Sequence, residues 1–168
     1  MAGADATPGR HVDAVLCDHV QPGGDGKLYV AGAGTSRFGI VTDATTFWVR
    51  IGVAATVTAA VGDEGPSELA IWAADGDGRT LPIRPPPGST EPLAVIVGRV
   101  EVPPQPEPGR RRHHVIPACV MFEAEASGAL AGTVIVALDR VIQRRLPFEV
   151  VVVVAPPSAP GPTSSEVA

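Results

Sequence analysis

Thiol and imidazole side chains are the most reactive groups in this sequence, and one cluster, Cys17-Asp18-His19, combines them. The other members of both types are scattered: His11, His113, His114 and Cys119. A zinc site takes three or four converging ligands, commonly two of them from a C-x2–4-C or H-x3–5-H pair, and the sequence has neither pair. Adjacent strand residues face opposite ways, so we do not expect Asp18 to join Cys17 and His19 on one ion.

Nucleophilic catalysis by the same cluster is not predicted either. A cysteine nucleophile needs a base, oxyanion donors and a third residue that orients the base, and nothing around Cys17 marks the last two. We therefore expect no catalytic residues, no metal ligands and no cofactor. Cys17 and Cys119 lie off the more apolar faces of their strands. A disulfide is possible if those strands are neighbours, but the sequence favours free thiols.

Two glycine-containing loops resemble ligand-binding loops only superficially. A phosphate loop leads into a helix N-terminus, whereas Gly32-Ala33-Gly34-Thr35 is followed by a segment that begins no helix. This loop therefore predicts a bulge or sharp bend. A calcium loop starting at Asp75-Gly76-Asp77-Gly78 would need a bidentate glutamate eleven residues on, where Pro86 stands. This loop predicts a hairpin turn.

The one concentrated positive patch is our candidate binding site: Arg110, Arg111, Arg112, His113 and His114. Such a cluster could recognise an anionic partner, either a phosphate or an acidic peptide. The alternative, which the sequence favours, is a solvated loop that protects a strand end from edge pairing. Arg140, Arg144 and Arg145 bracket a predicted hairpin turn. They would extend the patch only if both loops share one end of the domain.

Composition and charge exclude several classes of protein. The 168 residues carry a net charge of −5, so no global positive field attracts nucleic acid. No uncharged apolar run reaches membrane-spanning length, and the N-terminus lacks the basic and apolar regions of a signal peptide. We therefore expect a cytoplasmic protein with reduced thiols that binds neither nucleic acid nor membrane.

The elements that must position these residues are predicted to be strands. Valine outnumbers leucine by 24 to 8, and β-branched side chains favour strands. Apolar residues occupy every second position of Phe47–Val61 and of His114–Ala126, the period of a half-buried strand. Shorter strands are predicted at Val12–Val20, Lys27–Ala31, Glu68–Ala74, Leu93–Val102, Thr133–Arg140 and Phe148–Val154.

These elements predict one all-β domain over residues 11–155. Short strands separated by turn signals are typical of an antiparallel β-sandwich, either Ig-like or C2-like. The small, polar residues 1–10 and the Pro/Ser-rich residues 156–168 bury too little apolar surface to order themselves, so both are predicted to be disordered tails.

The segment Glu149–Val154 is apolar on both faces. Antiparallel sandwich strands normally expose one polar face, so this strand needs cover on both sides, from a loop or a neighbouring subunit. Uncovered, it would be prone to aggregate. We predict homo-oligomers that associate through residues 148–154.

The stretch from Asp13-Ala-Val-Leu-Cys-Asp-His to Asp25-Gly-Lys-Leu-Tyr-Val-Ala-Gly-Ala-Gly, residues 13–34, resembles the opening of a bacterial family of single-domain proteins of unknown function. That family carries an N-terminal Cys-Asp motif followed by Gly-Lys-Leu-x-Val-x-Gly. The resemblance extends to a closing strand at Leu146–Val150. It implies a compact β-sandwich and transfers no catalytic residues.

The sequence thus predicts a non-catalytic β-sandwich that acts as a binding or assembly module. The alternative is an enzyme or metal-binding protein whose site is assembled from dispersed His, Asp and Cys residues, among them Asp18, His19, His113 and His114. A third possibility is a small-ligand binder that uses the loop end near Gly32–Gly39.

Overall fold

Ten strands make up the structure, a computed structural model that describes residues 9–25, 27–60, 62–104 and 113–153. Those ranges contain no helix. The strands are β1 (Arg10–Cys17), β2 (His19–Pro22), β3 (Leu28–Ala31), β4 (Arg37–Val41), β5 (Phe47–Ala60), β6 (Gly65–Asp75), β7 (Ile96–Val102), β8 (His113–Ala126), β9 (Leu130–Leu138) and β10 (Val141–Val153). Of the two predicted tails, only Gly9 and Arg10 fall within these ranges, and Arg10 already belongs to β1.

The strands form two main sheets and a hairpin. The small sheet has the order β1-β5-β8, the large sheet has the order β4-β10-β9-β6-β7 and curls strongly, and β2 pairs with β3 alone. The all-β prediction is confirmed. One pairing departs from an antiparallel fold, because β4 runs parallel to β10. The Ig-like or C2-like form of the sandwich stays a prediction.

Period-2 alternation builds the core between the two sheets. On β5, Val49, Ile51, Val53 and Val57 face inward and are fully buried or nearly so. They pack in one cluster with residues of the large sheet, including Ile71, Val134, Val136 and Val150. The predicted strand Phe47–Val61 therefore lies at the centre of the small sheet and is confirmed by β5 as far as Ala60, while Val61 lies outside the described residues.

Both glycine-containing loops are turns. The Asp75 carboxylate accepts hydrogen bonds from the amides of Asp77 and Arg79 at 3.0 and 2.8 Å, and the chain reverses there. Gly32 and Gly34 have φ angles of +64° and +85°, and the chain enters β4 without a helix. The predictions of a hairpin turn and a sharp bend are confirmed.

Several predicted strand boundaries were wrong. The strand predicted from Glu68 begins three residues earlier, at Gly65, and the strand predicted from Leu93 begins three residues later, at Ile96. The strand Val12–Val20 breaks at Asp18, where the chain leaves the small sheet for the hairpin. Strand β4 was not predicted at all. The predicted strand Thr133–Arg140 ends at Leu138, since Asp139 and Arg140 adopt positive φ angles of 49° and 70° and form the turn. The next strand consequently begins at Val141 rather than at Phe148.

Candidate functional site

The predicted basic patch falls partly outside the described residues. Arg110, Arg111 and Arg112 lie there, so an anionic partner at this loop stays a prediction from the sequence. His113 and His114 begin β8, opposite Ala60 and Ala59 of β5. His113 is exposed and His114 is half-buried. Within the described residues, the Nε2 atom of His114 is buried without a hydrogen-bond partner.

The β9–β10 turn lies at the same end of the domain as these histidines. Arg10 of β1 and His114 of β8 both stand opposite Ala59 of β5, one on each side of that strand. The Arg10 guanidinium lies 4.0 Å from the Asp139 carboxylate in that turn. Arg140 therefore lies at the same end of the domain as His113 and His114, and its relation to Arg110–Arg112 stays a prediction because those residues lie outside the described ranges. Arg144 and Arg145 do not lie in the turn but within β10.

Cys17-Asp18-His19 lies where the small sheet passes into the hairpin. Cys17 is fully buried, whereas Asp18 and His19 are exposed. The hairpin contributes Val20 and Leu28 to a second apolar cluster on the outer face of the small sheet. The other members of this cluster are Val15, Cys17, Ala54, Cys119 and Met121. The hairpin thus covers the outer face of the small sheet at Cys17.

The two thiols are free and lie on opposite sides of β5. Cys17 stands opposite Gly52, and Cys119 stands opposite Ala54. Two strand spacings and an offset of two residues along the strand place their Cα atoms about 12 Å apart, beyond the roughly 6.8 Å that a disulfide spans. Burial raises the pKa of the Cys17 thiol, although a backbone hydrogen bond at Ala54 opposes this shift. A raised pKa leaves less of the nucleophilic thiolate at neutral pH.

The dispersed residues of the enzyme alternative do not converge. His114 lies in the row of Ala59, whereas Asp18 and His19 follow the row of Gly52. Seven residues along a strand separate the two rows by about 23 Å. Among residues 9–25, 27–60, 62–104 and 113–153, no group of three His, Cys, Asp or Glu side chains is placed to hold a metal ion.

An open cleft of about 560 Å³ lies beside the Gly32–Gly39 segment at Ser36. Its walls are mostly apolar: Ala129, Leu130, Ala131, Pro147, Phe148 and Val150. The one charged lining residue, Glu149, has its carboxylate bound by Arg37, whose Nε and Nη2 atoms donate at 3.0 and 2.8 Å. The cleft therefore lacks the converging polar groups that orient a small ligand.

The two faces of β10 differ in how well other parts of the chain cover them. Phe148 and Val150 point inward and are buried in the core. Val153 points outward, beside Val41 of the neighbouring β4, and the two side chains are 51% and 69% exposed. The inner face therefore receives its cover from the fold itself. The outer face, at this end of the large sheet, is not covered by any of the described residues.

Strand β4 adds an open strand edge next to Val41 and Val153. It is an edge strand that pairs only with β10 in the part of the chain that the structure describes. Sequence reasoning missed β4 because it is five residues long. Its partner Glu149 is also 112 residues away, so no local turn signal connects the two.

Sequence reasoning also missed a cluster around Trp48 on the outer face of the small sheet. The Arg84 guanidinium lies 4.9 Å from the Trp48 ring centre, and its Nη1 is 2.7 Å from the Glu123 Oε2. The Arg84 amide also donates to the Glu123 carbonyl at 2.8 Å. Cation–π attraction and the ion pair together hold the segment after β6 against β8.

A polar link joins the two sheets at β1 and β10, and sequence reasoning missed this link as well. Arg144 donates to the Asp13 carboxylate and lies 2.8 Å from the His11 Nε2. The Arg144 hydrogen bond lowers the pKa of Asp13. Period-2 spacing places His11 and Asp13 on one face, but the sequence carries no signal that Arg144 reaches them.

No protein-family model matches the chain, and no curated protein matches it in sequence. The resemblance to a bacterial family of unknown function therefore stays a prediction. No helix in the described ranges is long and apolar enough to cross a membrane. Three features bear on function. The fold is all-β, the Cys17 thiol is buried while Cys119 is partly buried, and apolar side chains are exposed at one end of the large sheet.

Proposed function

We propose that this protein is a non-catalytic β-sandwich module that works by assembling with further copies of itself. The interface is the open end of the large sheet, formed by β4 and the C-terminal part of β10. One observation carries the proposal: Val41 and Val153 lie side by side on the outer face, 69% and 51% exposed, next to an edge of β4 that has no partner among the described residues.

Physical reasoning favours cover by another chain at this end. Exposed apolar side chains beside an open strand edge are a template for pairing with a second sheet. Burying apolar surface stabilises an interface by roughly 25 cal/mol per Å². The one charged pair nearby, Arg37 with Glu149, is already neutralised within the chain, so it opposes association little.

An enzymatic role is not proposed, since its candidate residues lie about 23 Å apart along the sheet. We further propose that the protein acts in the cytoplasm. Support comes from the two thiols, Cys17 and Cys119, which are free and too far apart to join. Cell fractionation that found the protein only in an oxidising compartment would contradict this location.

Sedimentation velocity over a wide concentration range tests the assembly. We expect the unmodified protein to form dimers or larger species as its concentration rises. Val41→Lys places an ammonium group in the interface without a partner, since the carboxylate of Glu149 is already bound by Arg37, and should weaken association at least tenfold, about 1.4 kcal/mol. Val115→Lys is the matched control, because Val115 is 66% exposed on β8, away from this end.

A monomer at every concentration would overturn the proposal. So would equal weakening by Val41→Lys and Val115→Lys, since this would show that a charge acts anywhere on the surface. Circular dichroism of both variants checks that each keeps its β structure.

A further inference from the structure

On the side of β4 that faces away from β10, only every second residue presents its backbone N–H and C=O groups. The Glu149 amide donates to the Ser36 carbonyl at 2.7 Å, and Glu149 stands opposite Arg37 in the parallel ladder. Successive residues of a strand turn their N–H and C=O groups to alternate sides. The even-numbered residues of β4 therefore turn these groups toward β10, and Arg37, Gly39 and Val41 turn theirs to the open side.

We propose that two copies pair β4 with β4 in antiparallel orientation, across a two-fold axis at Gly39, so that their large sheets become one continuous sheet. This inference rests on the proposed self-association and specifies how the second copy docks. In this register Gly39 stands opposite Gly39 of the second copy. Arg37 stands opposite Val41 of the second copy, and Val41 opposite its Arg37. Such a two-fold contact closes at a dimer.

The hydrogen-bonding phase selects this register. Antiparallel residues exchange two hydrogen bonds when both turn their backbone groups toward each other. With the axis at Gly39, all three outward residues of β4 are matched, which gives about six hydrogen bonds from three pairs. Moving the axis by one residue leaves only two matched pairs. An axis at Arg37 leaves one and places two guanidinium groups in contact.

The side chains complement each other in the same register. On the outer face, the aliphatic stem of Arg37 covers Val41 of the second copy while its guanidinium stays on Glu149. On the inner face, Phe38 stands opposite Ile40 of the second copy, and apolar cross-strand pairs stabilise a sheet. No proline interrupts β4. A side chain at Gly39 would meet no atom within 4 Å.

Single cysteines with a short bismaleimide test the register in the full chain. Gly39→Cys should cross-link most of the protein as dimer, because opposed Cα atoms lie about 5.5 Å apart. Arg37→Cys alone and Val41→Cys alone should stay near background, since like positions are about 14 Å apart along the strand. A mixture of the last two should cross-link again. The unmodified protein, with Cys17 and Cys119, and the variant Val115→Cys are the blanks.

The outcomes separate this inference from the proposal on which it rests. If Gly39→Cys gives no cross-link while that variant sediments as a dimer, the pairing of β4 is overturned and self-association stands. Cross-linking of Arg37→Cys alone, at the level of Gly39→Cys, would also overturn the register. If the protein and the variant sediment as monomers, both proposals fail together.

Discussion

The outer face of the small sheet at the hairpin and the outer face of the large sheet at β4 carry similar apolar residues but differ in what covers them. On the small sheet, the β2–β3 hairpin lies over Cys17 and Ala54 and buries both. On the large sheet, Val41 and Val153 remain about half to two-thirds exposed. The hairpin of the same chain covers apolar side chains of the small sheet, whereas the described residues leave those at the end of the large sheet exposed. This contrast is why we assign the interface to β4 and β10.

Because of this contrast, a charged substitution should destabilise the covered face much more than the open face, and this is the largest effect that we expect. Val20 belongs to the hairpin, packs against Cys17 and Ala54 of the small sheet and is only 4% exposed. Val20→Asp removes an apolar contact and buries a carboxylate without a partner, which should destabilise the monomer by about 3 kcal/mol or more. Val41→Asp on the open face should cost about 1 kcal/mol or less.

Urea denaturation at a concentration where the protein is monomeric measures both changes. Similar losses for Val20→Asp and Val41→Asp would mean that the hairpin gives no cover in solution, and the contrast between the two faces would be lost.

Adding one methyl group to a glycine of each face should have a smaller effect. A Cβ at Gly52 would lie 2.7 Å from the Cys17 carbonyl oxygen and 2.8 Å from the Met121 sulfur. Overpacking of this kind costs about 1–3 kcal/mol, so Gly52→Ala should destabilise the fold by displacing β1 or the hairpin. Gly39→Ala meets open space and should change stability by about 0.5 kcal/mol or less.

Thermal melting of the two alanine variants makes this comparison directly. A neutral Gly52→Ala would show that the small sheet and its hairpin are loosely packed, contrary to the cover that we describe.

The smallest predicted effect is a pH dependence of the covered face. Burial raises the pKa of the Cys17 thiol above its unfolded value, so the native state holds this proton more tightly. The resulting stability is complete below the unfolded pKa. It is lost as the pH rises from the unfolded toward the native pKa, in the alkaline range above about 8.5.

Cys17→Ala removes this group, so its unfolding free energy should fall less steeply with alkaline pH than that of the unmodified protein. Chemical denaturation at several alkaline pH values gives both slopes. Cys119→Ala is the control, and equal slopes for the unmodified protein and Cys17→Ala would contradict the prediction.

Much of the fold was predictable because it depends on local alternation. Phe47–Ala60 shows the period of a strand along its whole length, and its inward residues are those that the pattern selects. The break at Asp18 was missed, although Asp18 interrupts the apolar phase of Val12, Leu16 and Val20, because a single polar residue in an alternating run does not by itself end a strand. It depends on the hairpin packing back over β1, a contact that becomes visible only in the folded chain.

The candidate interface was predictable only in part. The sequence marks residues 148–154 as apolar on both faces, but it does not tell which face the fold covers. That depends on the parallel pairing of β10 with β4, a strand more than a hundred residues earlier in the chain. The glycine at the centre of Arg37–Val41 also weakens its strand propensity, which hid the edge at which we place the partner.

Hydrogen exchange measured at several protein concentrations tests the central claim most directly, because both β4 and β7 are edges of the large sheet. We predict that the amides of Arg37, Gly39 and Val41 exchange more slowly as concentration rises, while exchange in Ile96–Val102 stays constant. Protection of β7 in place of β4, or no change at β4 in a protein that sediments as a dimer, would contradict the account.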